Sequence, residues 1–323
     1  MSQVHPTPAT DDDEERLGSE DRGPDDVAKT KDEKESGITT GASKQKGSWG
    51  VRIALFVIIL IWTVPTIGLL VSSVRSPDAV RTSGWWTALA NPFDFTQWTL
   101  ANYDQVLFGS GMANAFINSL VVSIPATVIP IAAAAFAAYA FSWMEFKGRE
   151  VLFVIFVGLL VVPLQVAFIP LLRVYGNFGL NGTFLAVWLA HAAFGMPLAV
   201  YLFRNYMGSL PREVIESAKV DGASHFATFW RLIVPLSVPV LAAYTIFQFL
   251  WVWNDLLVAL VFLGGQADVE VVTLNLANLV GSQGQAWHLL TAGAFVTMVV
   301  PMIVFFGLQR YFVRGLTAGS VKG

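Results

Sequence analysis

An all-α membrane protein of six transmembrane helices, with both termini on the cytoplasmic side, is the fold class this sequence predicts. Three observations lead there. Hydrophobic residues make up 54% of the 323 and charged residues only 13%, a balance that fits a polytopic membrane chain and not a soluble one. Six apolar stretches, at 51–74, 113–141, 151–172, 183–205, 236–263 and 289–312, are each long enough to cross about 30 Å of hydrocarbon. An even number of crossings puts both ends on one side, and basic residues say which. Lys44, Lys46, Arg52, Lys147, Arg149, Arg204, Arg212, Lys219, Arg231, Arg310, Arg314 and Lys322 flank one face, against Arg75, Arg81 and Arg173 on the other. Twelve against three places the richer face in the cytoplasm by the positive-inside rule.

Residues 1–48 hold twelve acids and seven Lys or Arg, a net −5 against +2 for the remainder, with almost no large apolar residues. Such a segment cannot bury a core. It is expected to be a disordered acidic cytoplasmic tail, either a leader without an essential role or a partner-binding segment. The first apolar run starts near Val51 behind that tail, so it reads as a retained membrane helix and not as a signal peptide. Residues 49–112 comprise that helix and a first external segment, where Trp85, Trp86, Phe93, Phe95 and Trp98 suit a headgroup-level anchor. Residues 113–312 form a five-helix core, and 313–323 a cytoplasmic tail.

Within the core, the small residues of Ile131-Ala132-Ala133-Ala134-Ala135-Phe136-Ala137-Ala138 allow close helix approach. Pro65, Pro125, Pro130, Pro163, Pro170, Pro197 and Pro301 lie in or beside spans, where neighbouring groups must satisfy the carbonyls they free. Each is either a hinge or a shaping element of the packing. A second external loop, 175–182, is short. The third, 264–288, is polar, contains Asp268 and Glu270 and has no Lys or Arg; most surface loops of this kind receive no partner, and a receiving role would rest on family resemblance and not on these residues.

One hydrophilic stretch interrupts the apolar pattern, LPREVIESAKVDGASHFATFWRLIVPLSVP at 210–239. A connection of that length has structure of its own in most compact proteins. Pro211 suits a helix start, with Glu213 and Glu216 near the positive end. Val214, Ile215 and Ala218 share a face, and Gly222 is a helix stop. A second helix is expected from Ala223, with Phe226, Phe229, Trp230 and Ile233 on one apolar face. An apolar-faced helix pair of this kind is either a docking element or a lid on lipid.

Glu216-Ser217-Ala218, then Gly222 after three residues, then Leu232-Ile233-Val234-Pro235 resembles the EAA loop of ABC-importer permeases, with Ser217, Leu232 and Val234 as mild departures. Asn102-Tyr103 and Asn118-Ser119 resemble the NY and NS strings of sugar-type permeases, Trp253-Asn254-Asp255 a WND string common among them, and the ending Gly315-Leu316-Thr317-Ala318-Gly319-Ser320-Val321-Lys322-Gly323 the tail of smaller sugar permease subunits, the maltose type included. The resemblance spans about residues 100–323. It implies the type I ABC-importer permease architecture, in a multi-pass protein of the bacterial cell membrane. By the same resemblance, Glu216, Ser217, Ala218, Asp221, Gly222, Ala223 and Pro235 form an ATPase-coupling element in the 207–235 loop, and Gly315, Gly319 and Lys322 sit in a tail contacting the ATPases. The implied partners are a second permease subunit in a heterodimer, two ABC ATPase subunits, an extracytoplasmic solute-binding protein, a sugar substrate and the lipid bilayer, with no nucleic acid. A di- or oligosaccharide, possibly an α-glucoside, is the implied cargo; a non-sugar solute of the same family is the alternative.

No G-x-x-x-x-G-K-[ST] phosphate loop occurs, since the stretch from Gly41 to Ser48 lacks the Gly-Lys-Ser ending. The chain is therefore not expected to be an enzyme or to hold a cofactor, ATP and magnesium belonging to partner subunits. With no cysteine, disulfides and cysteine metal sites are excluded, and no metal site is expected. Ionisable groups inside spans are functional candidates by default. Asp255, placed about 29 Å along the fifth helix from Leu236, is either a solute or gating contact beside an aromatic wall of Trp251 and Trp253, or an interfacial acid bonded to a neighbouring helix. Trp251, Asn254 and Asp255 are the substrate-path candidates. His191 in the fourth span reads as a packed neutral residue. An ion-coupled secondary transporter would need an ion site and repeated halves, for which Asp255 and His191 are thin material; a non-transport membrane scaffold leaves the 210–239 loop unexplained.

Overall fold

The computed structural model describes residues 49–280 and 286–318; the expected acidic tail at 1–48 lies outside them. Two compact units are distinguished, Met1–Ile61 and Trp62–Gly323, the first contributing the opening turns of one helix and the second everything treated below. Helices in chain order are α1 Trp49–Ser73, α2 Pro77–Thr82, α3 Trp85–Ala90, α4 Ala101–Asp104, α5 Met112–Trp143, α6 Arg149–Leu159, α7 Leu164–Asn177, α8 Phe184–Gly208, α9 Arg212–Val220, α10 His225–Thr228, α11 Val238–Trp253, α12 Leu257–Leu263, α13 Val272–Val280 and α14 Trp287–Ala318. No strand occurs among the described residues, only an isolated antiparallel bridge between Arg75 and Trp98. By length and composition α1, α5, α8 and the Trp287–Gln309 part of α14 suffice to cross a membrane, and two bent pairs, α6 with α7 and His225–Leu236 with α11, raise the number to six.

Two of the expected spans are not continuous. The third, expected at 151–172, breaks after Leu159, and α6 and α7 meet at 102°. Pro163 explains it. Its ring pushes the preceding residue out of the helical region, and Pro163 itself is extended, with φ −61° and ψ 125°. The fifth, expected at 236–263, is bent by 72° at Ser237, ends at Trp253 and resumes as α12 after three residues. The third external loop also departs from expectation, because α13 lies inside it and buries Val272 and Leu274. At the far end α14 continues to Ala318, past the expected limit at 312.

In lipid the solvent is as apolar as the side chains, so close packing and hydrogen bonds must hold helices together. The alanine run of α5 serves the first need: Ala134, Ala135 and Ala138 are buried with Ala199, Val200 and Phe203 of α8 in one cluster. Prolines set up the second. An α-helical N–H bonds the carbonyl four residues back, so a proline leaves that carbonyl free. Pro125, Pro130 and Pro301 thereby free the carbonyls of Val121, Ala126 and Thr297. Each receives a donor from another helix: the Trp188 indole bonds Val121 O at 3.0 Å, the Gln248 amide bonds Ala126 O at 3.2 Å, and the Trp253 indole bonds Thr297 O at 3.0 Å. These clasps join α8 to α5, α5 to α11, and α11 to α14. The three prolines are thus fastening points.

Candidate functional site

The 210–239 loop is built by local turn chemistry. Pro211 caps α9, and Ile215 alone of the helix is fully buried. Past Val220 the chain reverses through Gly222 at φ +77°, a left-handed conformation that costs other residues about 1–2 kcal/mol. Gly222 N–H bonds Lys219 O at 3.0 Å and Ala223 N–H bonds Ala218 O at 2.9 Å, the paired closure of a Schellman turn. Ala218, Asp221, Gly222 and Ala223 are therefore one structural unit. Ser224 begins the next helix, its hydroxyl accepting from Ala227 N–H at 3.2 Å; α10 starts at His225, two residues later than expected.

After Thr228 the backbone widens into a π turn at Phe229–Ile233. This shifts the expected apolar face. Phe229 and Ile233 are buried, whereas Phe226 is 69% and Trp230 48% exposed. The buried pair packs with Ile215, Phe203, Met207 and Tyr139. Phe229 stacks on Phe136 at 4.5 Å, and the Tyr139 hydroxyl is hydrogen-bonded to His225 Nδ1 at 2.9 Å. The loop is thus fastened to the C-terminal end of α5. Outward it presents Glu216, Ser217, Asp221 and Gly222 beside Val220, 87% exposed. Small turn, flanking charge and exposed apolar side chains together make a face suited to docking. Pro235 is exposed at the end of the same element, just before the 72° bend.

Comparison with known proteins gives the family in which this loop occurs. The family described as a binding-protein-dependent transport system inner membrane component matches residues 129–318, a segment that contains the whole loop. This chain belongs to that family. Among its relatives is the osmoprotective compounds uptake permease protein of Synechocystis sp., 58% identical over 91% of this chain and 99% of that one. The alpha-glucoside transport system permease protein of Rhizobium meliloti is 44% identical over 85% of this chain and 97% of its own. In fold, the permease is similar to a crystal structure of a bacterial ABC transporter involved in import of the acidic polysaccharide alginate. The TM-score is 0.62 at 21% identity, covering 81% of this chain and 96% of that one.

The substrate-path candidates do not form one group in this permease. Residues two apart on a helix point to different sides, and the expected wall of Trp251 and Trp253 divides accordingly. Trp253 is buried, stacked with Phe249 at 5.8 Å, and used in the α14 clasp. Trp251 meets His191 edge-on at 5.3 Å and lines a cavity of about 660 Å³ together with Leu164, Phe194, Phe247 and Gln248. That cavity sits in the angle between α6 and α7, facing α8 and α11. Asn254 is exposed and bonds Leu250 O.

Asp255 lies in the break between α11 and α12, two residues beyond the end of α11 rather than far along a continuous helix. Its carboxylate accepts from Val258 N–H at 2.8 Å and Ala259 N–H at 3.1 Å, and its own carbonyl accepts from the Thr273 hydroxyl at 2.7 Å. His191 Nε2 stands 3.8 Å from the carboxylate, beyond hydrogen-bond range. Asp255 therefore caps α12 and ties it to α13, which is the bonding of an interfacial acid. Of the tail, Gly315 falls within α14, while Gly319 and Lys322 lie outside the described residues.

The strings that carry the family resemblance also hold the fold together. Asn102, buried, donates to Ser73 O at 2.9 Å and Arg75 O at 2.8 Å, and the Tyr103 hydroxyl pairs with that of Ser73 at 2.8 Å. Arg75 is not a surface charge. It is 2% exposed, with its guanidinium on Gly84 O at 3.1 Å and the Ser83 hydroxyl at 2.7 Å. Phe93 and Phe95 remain 84% and 79% exposed. Sequence reasoning missed Gln248, Trp188, Phe136 and Tyr139. Only Gln248 carried a usable signal, as an uncharged polar residue deep in an apolar span that needs a partner.

Proposed function

We propose that this permease is one of two membrane subunits of an ATP-driven importer whose cargo is a sugar, a di- or oligosaccharide. The observation that carries the reading is its 44% identity, over 85% of the chain, to a permease for alpha-glucosides. The termini and the 210–239 loop lie in the cytoplasm, as the excess of Lys and Arg on that face supports. There the Glu216–Ala223 turn, with exposed Val220, Phe226 and Trp230, seats in one of two partner ATPase subunits that hold ATP and magnesium. The tail of Gly315, Gly319 and Lys322 would add a further contact with those ATPases. An extracytoplasmic binding protein delivers the solute, as the family description implies.

Closure of the ATPase pair on ATP draws the loops of the two permease subunits together. Because Phe229 and His225 are fastened to α5, the loop cannot move without the helices. The apolar cavity beside Trp251 is the part of this subunit suited to the solute path, an aromatic face stacking well on a sugar ring; Asn254 and Asp255 shape the break next to it. A second reading of the cargo, an osmoprotective compound, is favoured by the 58% identical relative.

The test is ATP hydrolysis by the purified assembly in lipid with its binding protein, challenged with α-linked di- and oligosaccharides and with non-saccharide osmoprotective compounds. Stimulation by a saccharide is expected. Stimulation by the osmolytes alone replaces the cargo, and purification without any ATPase removes the importer reading.

A further inference from the structure

Three features lie outside the coupling turn: the small polar pocket of Ser119, Ser123, His191 and Asp255, the groove between Trp85 and Trp287, and the fastenings at the two ends of α5. The fastenings carry furthest, because they join the coupling loop to a segment on the opposite side of the membrane.

At its C-terminal end α5 holds the loop through Tyr139 and Phe136. Its N-terminal end holds the segment between α12 and α13. The Asn118 amide donates to Asp268 O at 3.0 Å and Glu270 O at 2.9 Å. The Ser119 hydroxyl, buried, accepts from Val272 N–H at 2.9 Å. Just before α5, Ser110 O accepts from the Asn275 amide at 2.9 Å. Three hydrogen bonds thus fix the stretch 268–275 to α5, and a fourth fixes it to Ser110 just before the helix. Asn118 and Tyr139 are 21 residues apart, or about 32 Å along a helix.

A rod transmits displacement only if it does not bend at its weak points. The weak points of α5 are Pro125 and Pro130, and both freed carbonyls are clasped, by Trp188 and Gln248. We propose that α5 is the strut by which movement of the 210–239 loop reaches the 264–275 segment, with Asn118 and Ser119 as positioning residues at one end and Tyr139 at the other. The inference rests on the reading of the loop as an ATPase-docking element. It gives the 264–275 segment a regulated position: the surface offered outside depends on the nucleotide state inside.

The chain has no cysteine, so one introduced cysteine is its single labelling position, the partner subunits being used in cysteine-free form. Gly265 has open space around it, and Gly265→Cys carries a spin label on the segment in the complete assembly, reconstituted in lipid with its binding protein. Spectra are compared without nucleotide and with a non-hydrolysable ATP analogue. The expected result is a change in label mobility on nucleotide binding, reduced at least about two-fold by Asn118→Leu and by Ser119→Ala. Ser119→Thr, which keeps the hydroxyl, retains it. Tyr139→Phe reduces it as well, although that hydroxyl lies about 32 Å away; a merely local role of Asn118 would not produce this. Assembly is checked by size exclusion, and basal ATP hydrolysis is expected to be unchanged in the Asn118 and Ser119 variants.

A label that responds fully in Asn118→Leu and Tyr139→Phe overturns the strut. So does a label that stays silent in the parent while ATP is hydrolysed normally. An assembly that hydrolyses no ATP under any condition removes the docking reading first and the strut with it, and so is distinguishable from failure of the strut alone.

Discussion

Gln248→Leu should destabilise the assembled permease, and Pro130→Ala should relieve much of the damage. Gln248 is fully buried. Its amide nitrogen bonds Ala126 O at 3.2 Å, and its amide oxygen accepts from the Tyr244 hydroxyl at 2.9 Å. Leucine fills similar volume but donates nothing. Tyr244 keeps its bond to Gly195 O at 2.6 Å, so its hydroxyl stays paired. Ala126 O does not, because Pro130 offers no N–H. A buried orphan acceptor costs about 1–3 kcal/mol, and side-chain bonds between membrane helices average about 0.6 and reach about 1.7 kcal/mol. About 1–2 kcal/mol is the resulting expectation. In the double variant Pro130→Ala/Gln248→Leu, the introduced alanine supplies the missing N–H within α5. The cost of losing Gln248 should then fall by about 1 kcal/mol, a coupling well above the ~0.5 kcal/mol of independent sites. The measurement is the apparent melting midpoint of the assembly in one detergent for all four corners of the cycle. Additive shifts would refute the clasp, because an ordinary packing defect at Gln248 has no reason to depend on the proline.

Two further outcomes follow from close geometry. A Cβ on Gly195 would stand 2.6 Å from the Gln248 amide oxygen, so Gly195→Ala should lower the melting midpoint, and Gln248→Ala should cost less in that variant than in the parent chain; independent losses would show that the two do not compete for space. Gly222→Asp places a side chain at φ +77°, about 1–2 kcal/mol of strain, in the middle of the docking turn. If the charged side chain weakens docking by about 1.4 kcal/mol, solute uptake drops roughly ten-fold with normal amounts of assembled complex, and intact uptake would move the coupling site elsewhere.

What could be read from the sequence was local. The turn at Gly222 depends on a few consecutive residues, so its place was legible, as were the apolar stretches, which need only composition. What escaped depends on partners remote in the chain. Pro125, Pro130 and Pro163 look alike in sequence, yet the first two sit inside a continuous 32-residue helix and the third ends one. The difference is a donor, Trp188 for Pro125 and Gln248 for Pro130, 67 and 122 residues from the carbonyls they reach. Equally, His225 could be seen as part of the loop, but Tyr139, 86 residues before it, could not be seen as its partner. Asp255 was misplaced for a related reason: an unbroken apolar run hides a chain break that only the capping bonds to Val258 and Ala259 explain.

The choice between prolines as hinges and prolines as packing devices can then be made position by position. Bending at Pro125, Pro130 or Pro301 would pull a carbonyl away from a donor on another helix, and in hydrocarbon no water replaces it. Those three kinks resist motion. The clasps bind α5, α8, α11 and α14 into one body. The break after Leu159 stands on different terms: there the helical ladder is already interrupted, with a bend of 102°, whereas at Ser237 the N–H still bonds Ile233 O and the carbonyl still accepts from Leu241 N–H, and between Trp253 and Leu257 the Asp255 carboxylate holds the start of α12. The cavity beside Trp251 lies between the unclasped pair α6 and α7 and the clasped helices α8 and α11. If that cavity changes size during transport, the geometry predicts that α6 and α7 swing against a stiff four-helix body; if the 210–239 loop drives the change, α5 is the member of that body fastened to it.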